Sequence, residues 1–218
     1  MLKECTVPNE MGIFEVMYNC RAMRRLSAEP VPEDILLELV EAASQAATGS
    51  NKQGLRWVVV RDAEQKRQLA ELNREASEAF VQGRIDRREE LPHHDAERRG
   101  RMLKAVLWLA QNMQDISTLM IPCHQFESTP SEKDLAGAAS SVWPGVQNML
   151  LAARAQQLGA VLTTYALTDY SRFCDVLGLP ENVGAFGLIP VGYPLGKFGP
   201  VSRLPVSELA HFDRWSAR

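Results

Sequence analysis

Between Pro30 and Ala47 the apolar residues Leu36, Leu39, Val40, Ala43 and Ala47 recur at three- and four-residue steps, the period of one helix face. Pro32 suits the entry to that helix, and Glu33 and Asp34 suit the positive end of its dipole. The turn-forming cluster Thr48-Gly49-Ser50-Asn51 is expected to stop it. Trp57-Val58-Val59-Val60 follows as an uninterrupted, mostly β-branched run and reads as a buried strand. Met102, Val106, Leu109 and Met113 mark another apolar helix face, and Thr118 to Ile121 reads as a strand ended by Pro122. The strongest helical signal of the second half runs from Gly137 to Leu158. Val142, Val146, Met149, Leu150 and Ala153 form its apolar face, and Gly159 is placed to terminate it. Ala160 to Thr164 is a candidate strand, Asp169 to Leu177 a short helix closed by Gly178, and Gly187 to Gly192 a final strand. Helices and strands alternate irregularly, which predicts an α/β or α+β fold around one sheet.

A length of 218 residues, 45% of them hydrophobic, fits a single domain with a sizeable core, and no Gly/Ser linker divides it. The 24 basic and 27 acidic residues leave a net charge of −3, which argues against a protein built to hold nucleic acid. No apolar run approaches the roughly 20 residues that span a bilayer. Lys3, Glu4, Glu10 and Glu15 break up the N-terminus, so a secretory signal is not expected. Cys5, Cys20, Cys123 and Cys174 lie far apart without a CxxC pair, and a cytoplasmic protein with free thiols is expected. Arg61 to Lys104 holds 11 basic and 10 acidic residues with mixed signs, the pattern of a solvated helical face. Its few apolar anchors and the break at Leu91-Pro92 suggest a mobile cover over Gln82 to Glu97.

Most familiar chemistry is absent. His93 and His94 lack a third ligand at metal spacing, so no metal site is expected, and His124 and His211 are isolated. Gly192-Tyr-Pro-Leu-Gly-Lys197 is one residue short of a phosphate loop and lacks its Ser/Thr. There is neither a GxGxxG after a strand nor a GxSxG elbow. What remains is a group of anion- and amide-recognising residues at both ends of the chain. Arg21, Arg24 and Arg25 place three forked donors within five residues, and such donors suit a phosphate. Thr48 to Gln53 supplies hydroxyl and amide groups, and Lys197 and Arg203 flank Phe198-Gly199-Pro200.

In this order these segments resemble a known family. The run RAMRRLSAEPVPEDILLELVEAASQAATGSNKQGLRWVVV resembles the N-terminal signature of the nitroreductase superfamily of FMN-dependent oxidoreductases. VWPGVQNMLLAARAQQLGAVLTT and GLIPVGYPLGKFGPVSRLPVSEL resemble later family segments in the expected order. The resemblance covers roughly Cys20 to Val60 and Ser140 to Leu209, leaving residues 61–104 as a variable, charge-rich segment. It implies an α+β sandwich around a mixed, mainly antiparallel sheet, assembled as a homodimer with FMN at the subunit interface. Carried over by residue, it implies that Arg21, Ala22, Met23 and Arg24 meet FMN, with Arg203 and Lys197 at its phosphate. It places Thr48, Asn51 and Gln53 against the ring or ribityl chain, and Leu162, Thr163 and Thr164 at the ring's reactive edge.

The chain departs from the family pattern in two places. Cys20-Arg21-Ala22 stands where many members carry Arg-Arg-Ser, and Gly54-Leu55 stands where Pro-Trp is usual. The implied reaction takes electrons from NAD(P)H to a small oxidised acceptor, a nitro compound or quinone, in a ping-pong cycle. It needs no acid–base side chain, and Arg24 is the candidate for stabilising reduced flavin. Reductive dehalogenation or flavin fragmentation on the same fold, and non-catalytic flavin binding, are the alternatives.

Overall fold

A computed structural model of the chain describes residues 11–87 and 96–215. Strand β2 (Thr118–Gln125) is the centre of its sheet. It pairs with β1 (Leu55–Val60) on one side and with β5 (Ile189–Gly192) and β4 (Val183–Ala185) on the other. The short β3 (Gly159–Ala160) extends the sheet beyond β5. Every ladder among the described residues is antiparallel, in keeping with the mainly antiparallel sheet that the resemblance implies.

Side chains on β2 alternate between the two faces, as a pleated strand requires. Leu119, Ile121 and Cys123 join one apolar cluster with Leu69 and Leu72 of α3 (Ala63–Arg87), Leu109 of α4 (Ala96–Asn112) and Phe173 of α6 (Tyr170–Leu177). Met120 points the other way, to Leu36 and Leu39 of α2 (Glu33–Ser44) and Val142 and Met149 of α5 (Glu132–Ala155). Helices on both faces of an antiparallel sheet make this an α+β sandwich. Each fully buried Leu, Ile or Phe contributes about 1.5–3 kcal/mol by leaving water. Two short helices, α1 (Ile13–Asn19) and α7 (Val206–Leu209), complete the described elements. Among the described residues no helix is long and apolar enough to cross a membrane.

Several expected boundaries move. Pro122 does not end its strand. It sits where β2 changes partner, from Ile189–Val191 of β5 to Val183–Ala185 of β4, so its missing N–H faces a gap between ladders. Its carbonyl still accepts from the Phe186 N–H at 2.9 Å. Helix α5 starts at Glu132 rather than Gly137, because Ser131 and Asp134 form a reciprocal capping box. It carries Pro144 internally and closes through Gln157 in the left-handed region (φ 60°) rather than at Gly159. The strand expected over Ala160–Thr164 is regular only at Gly159–Ala160 and resumes as a single bridge between Thr163 and Leu188.

The charge-rich segment is helical as expected, but it is better anchored than its composition suggests. Leu69, Ala70, Leu72 and Val81 of α3 are buried, as is Leu103 of α4. The break at Leu91–His94, and half of the cover expected over Gln82–Glu97, lie outside the described residues.

Candidate active site

The arginine-rich segment is held as if it were an extra edge strand. The Met23 N–H donates to the Ala160 carbonyl at 3.0 Å, the Ser27 N–H donates to Tyr193 at 2.8 Å, and Leu26 bridges Pro194. Met23 and Leu26 are buried, which fixes the segment and leaves Arg21 exposed and Arg24 partly buried. A glycine is required where the segment crosses β3. A Cβ on Gly159 would come within 2.5 Å of Leu26 Cδ2 and 2.9 Å of Met23 Cβ.

Two adjoining clefts open along this crossing. The first, of about 220 Å³, is lined by Cys20, Arg21, Ala22 and Arg24, the α5 residues Leu150 and Arg154, Leu158, Ala160 to Leu162, and Phe198. Among the described residues no acidic one lines it. The second, of about 260 Å³, shares Arg24, Val161 and Leu162 and adds Asn73, Ser77, Thr163, Thr164 and Tyr165. Arg24 thus stands between a cationic end and a neutral polar end. Burial pulls its pKa downward, Tyr165 opposes that and Arg21 adds to it, yet arginine stays cationic at working pH. In the second cleft the Thr163 hydroxyl donates to Asn73 Oδ1 at 3.0 Å, and both residues are buried. The Cys20 thiol donates to the Leu150 carbonyl at 3.6 Å; burial raises its pKa, against the lowering influence of Arg154 and then Arg203.

Sequence reasoning placed Arg21, Ala22, Arg24, Leu162, Thr163 and Thr164 here, and all line one or both clefts. Met23 does not line them and serves instead as the buried anchor. Arg203 lies close enough to act on Cys20, and the Val201 N–H donates to the Tyr18 carbonyl at 2.9 Å, tying the C-terminal segment to the end of α1. Lys197 is exposed and lines neither cleft. Several lining residues, Arg154, Asn73 and Tyr165 among them, were not singled out from the sequence. Arg154 reads as a surface charge in the last turn of a helix, and Asn73 and Tyr165 come from elements with no motif of their own.

Thr48, Asn51 and Gln53 are elsewhere in the same chain. Ser50, Asn51 and Gln53 all adopt positive φ (51°, 53° and 50°), an unusual concentration of strain for side-chain-bearing residues. The Gln53 N–H donates to Thr48 Oγ1 at 3.2 Å and its amide donates to Asn51 Oδ1 at 3.2 Å. Thr48 and Gln53 line a small cleft with Trp57, whose buried Nε1 has no partner, and Ser141. The Gly49 N–H donates to Ser141 Oγ at 3.1 Å, docking the loop on α5. At 1.5 Å per residue, α5 separates Ser141 from Arg154 by roughly 20 Å. The loop and the arginine cleft therefore sit toward opposite ends of one helix.

His124, isolated in the sequence, packs on Phe126 with ring centroids 4.5 Å apart and leaves Nδ1 buried without a partner among the described residues. Its pKa is lowered, first by burial and then by Arg56 and Lys52. A Cβ on Gly54 would overlap this imidazole, which accounts for glycine at that position. His93 and His94 lie outside the described residues.

The chain is similar to the NADH dehydrogenase of Thermus thermophilus, with 31% identity over 87% of this chain and 90% of that protein. It is 24% identical to the iodotyrosine deiodinase of Thermotoga neapolitana, over 84% of this chain and 88% of the other. Among solved structures, an oxidised iodotyrosine deiodinase bound to FMN and 3-iodo-L-tyrosine shares the fold. Its TM-score is 0.72 at 19% identity, covering 94% of this chain and 100% of that one. Residues 19–193 match the sequence profile of the Nitroreductase family, a span that includes the arginine segment, the strained loop and all five strands. With that match over most of its length, and the α+β sandwich that goes with it, the chain belongs to the Nitroreductase family.

Proposed function

We propose that the protein is an FMN-dependent oxidoreductase that passes electrons from NAD(P)H to a small oxidised acceptor of nitro or quinone type. The observation that carries this reading is the polarity of the paired clefts. Arg21, Arg24 and Arg154 line a cavity that has no acidic lining among the described residues, and Asn73, Thr163, Thr164 and Tyr165 line the cavity beside it. A phosphate-ended ligand with a neutral, hydrogen-bonding heterocycle fits that sequence of groups. The buried Arg154 Nε, which has no protein partner, fits an anion at the first end. FMN held by these residues would supply the two-electron chemistry.

The chain's own residues bind, orient and tune. Arg21, Arg203 and the cleft's other cations hold the phosphate end. Leu162 shapes the wall shared by both clefts, and Thr163 and Thr164 line the neutral end where the ring would lie, with the Thr163 N–H and carbonyl both taken up by Leu188. Arg24, cationic and partly buried, stabilises negative charge arriving on the ring. No acid–base side chain is required.

The Thr48, Asn51 and Gln53 loop belongs to the same site through assembly. Because α5 holds it roughly 20 Å from Arg154, one chain does not close both halves around a single ring. A homodimer packed about α5 would bring the partner's loop to each cleft, and Trp143 of α5, in edge contact with Phe186, keeps part of its ring exposed on that helix. The same reading places the protein in the cytoplasm as one domain.

Similarity to iodotyrosine deiodinases supports a second reading, reductive dehalogenation on the same cofactor. An absorbance spectrum of the purified protein, followed by anaerobic NAD(P)H titration, tests the proposal. Flavin absorbance that bleaches on titration supports it, and a colourless protein that binds no added FMN removes it. Reoxidation by nitro or quinone acceptors and by 3-iodotyrosine, compared side by side, then separates the two readings.

A further inference from the structure

Arg154 is 8% exposed, and its guanidinium lies over the Phe198 ring at 3.9 Å. Nη1 donates to Gln157 Oε1 at 3.2 Å, while the buried Nε has no partner. Among the described residues no carboxylate pairs with it. Glu38, which reaches the same end of α5, accepts from Gln156 Nε2 at 2.7 Å. A guanidinium removed from water is costly unless a counter-charge meets it. The negative end of α5 offsets some of that cost, and Phe198 offsets some more. Neither gives Nε an acceptor.

We infer that Arg154 is a ligand for a phosphate monoester, forming the buried wall of the arginine-lined cleft opposite Arg21. The neighbouring groups point to the same place. Arg21 Nη1 lies 3.8 Å from where a Cβ on Gly199 would stand, next to the Phe198 that Arg154 covers. Arg154 and Arg203 both act electrostatically on Cys20. Cys20 itself is short and directs its thiol at the Leu150 carbonyl, so it leaves the space before Arg154 open. Arg21 and Arg154 therefore line one cleft from two separate segments, Arg203 lies within electrostatic reach of Cys20 in the same wall, and the guanidinium from α5 is fixed before any ligand arrives. A planar fork held rigidly on a helix and an aromatic ring is suited to two phosphate oxygens at once.

The assignment rests on the flavin reading for the identity of the monoester, namely the terminal phosphate of FMN; free inorganic phosphate has the same chemistry. Full-length protein freed of flavin separates the two when titrated with FMN, riboflavin and inorganic phosphate. For Arg154→Met, FMN affinity should fall about tenfold or more, the loss of one charge-assisted contact, while riboflavin affinity stays within about twofold. Arg154→Lys should fall between parent and Arg154→Met. Inorganic phosphate should raise the melting temperature of the parent and not of Arg154→Met. Equal loss of FMN and riboflavin affinity, or no loss of either, would make Arg154 a packing residue and overturn the inference. If the parent binds neither flavin yet phosphate stabilises it through Arg154, the anion site stands and the flavin reading falls. If phosphate also has no effect, both fall. Should Arg154→Met fail to fold, the FMN-to-riboflavin affinity ratio of Arg154→Lys against parent decides the matter alone.

Discussion

The Met23 N–H donates to the Ala160 carbonyl at 3.0 Å, and that bond fixes where the arginines of the N-terminal segment stand relative to the sheet. Gly159, one residue before the acceptor, is what lets the two backbones meet. Gly159→Ala should force Leu26 and Met23 outward at a cost of about 1–3 kcal/mol, as overpacking does in a tight core. A lowered melting temperature together with weakened FMN binding is the expected result. Unchanged flavin affinity would show that the crossing does not position Arg21 and Arg24.

Arg24 separates a phosphate-holding role from an electronic one. Arg24→Met keeps most of the side-chain length and removes the charge. If the guanidinium stabilises the reduced cofactor by about 1.5–3 kcal/mol, the two-electron potential should drop on the order of 30–65 mV. The measurement is the midpoint potential of FMN-saturated parent and variant. A variant that binds FMN more weakly at an unchanged potential would leave Arg24 with the phosphate alone.

Composite sites predict complementation. Arg21→Ala removes part of the arginine cleft, and Gln53→Ala removes part of the loop at the other end of α5. Each variant alone should be largely inactive. Unfolded together and refolded as an equal mixture, they should recover about a quarter of parental activity, since half the pairs are mixed and each holds one intact site. No recovery would place both residues in a site formed by a single chain.

Acid sensitivity should trace partly to His124. Its folded-state pKa is lowered, so the unfolded chain binds more protons than the folded one in the range just below its ordinary value. The associated stability is present above pH of about 6.5 and is lost as the pH falls through the lowered value. His124→Phe keeps a ring against Phe126 and cannot titrate. Its melting temperature should decline less than the parent's between pH of about 7.5 and 5.5. Parallel declines would assign the sensitivity to other groups.

Elements whose ends are set locally were legible from the chain. Helix α6 was read almost to the residue because Asp169 caps it and Gly178, at φ 60°, closes it. Pro122 misled because its tolerance depends on a change of strand partner that involves residues more than 60 positions away. The start of α5 lies earlier than Gly137 because the reciprocal Ser131–Asp134 box, a contact between side chains and backbone, caps it at Ser131. At the site, Arg21 and Arg24 stood out as a cluster, whereas Arg154 was one arginine in an ordinary helical turn. Only folding removes it from water and reveals that no acid answers it.

Helix α5 also works as a ruler. It carries the strained loop near Ser141 and the buried arginine at 154, so its length sets the span that any pairing of chains must match. In the proposed homodimer a two-fold axis would read that span twice, once in each direction, and the two readings would be identical by construction. One extra turn in α5 between Ser141 and Arg154 would shift the loop by about 5.4 Å against the arginines, and it would do so at both sites together. The helix can therefore drift in sequence far more freely than in length.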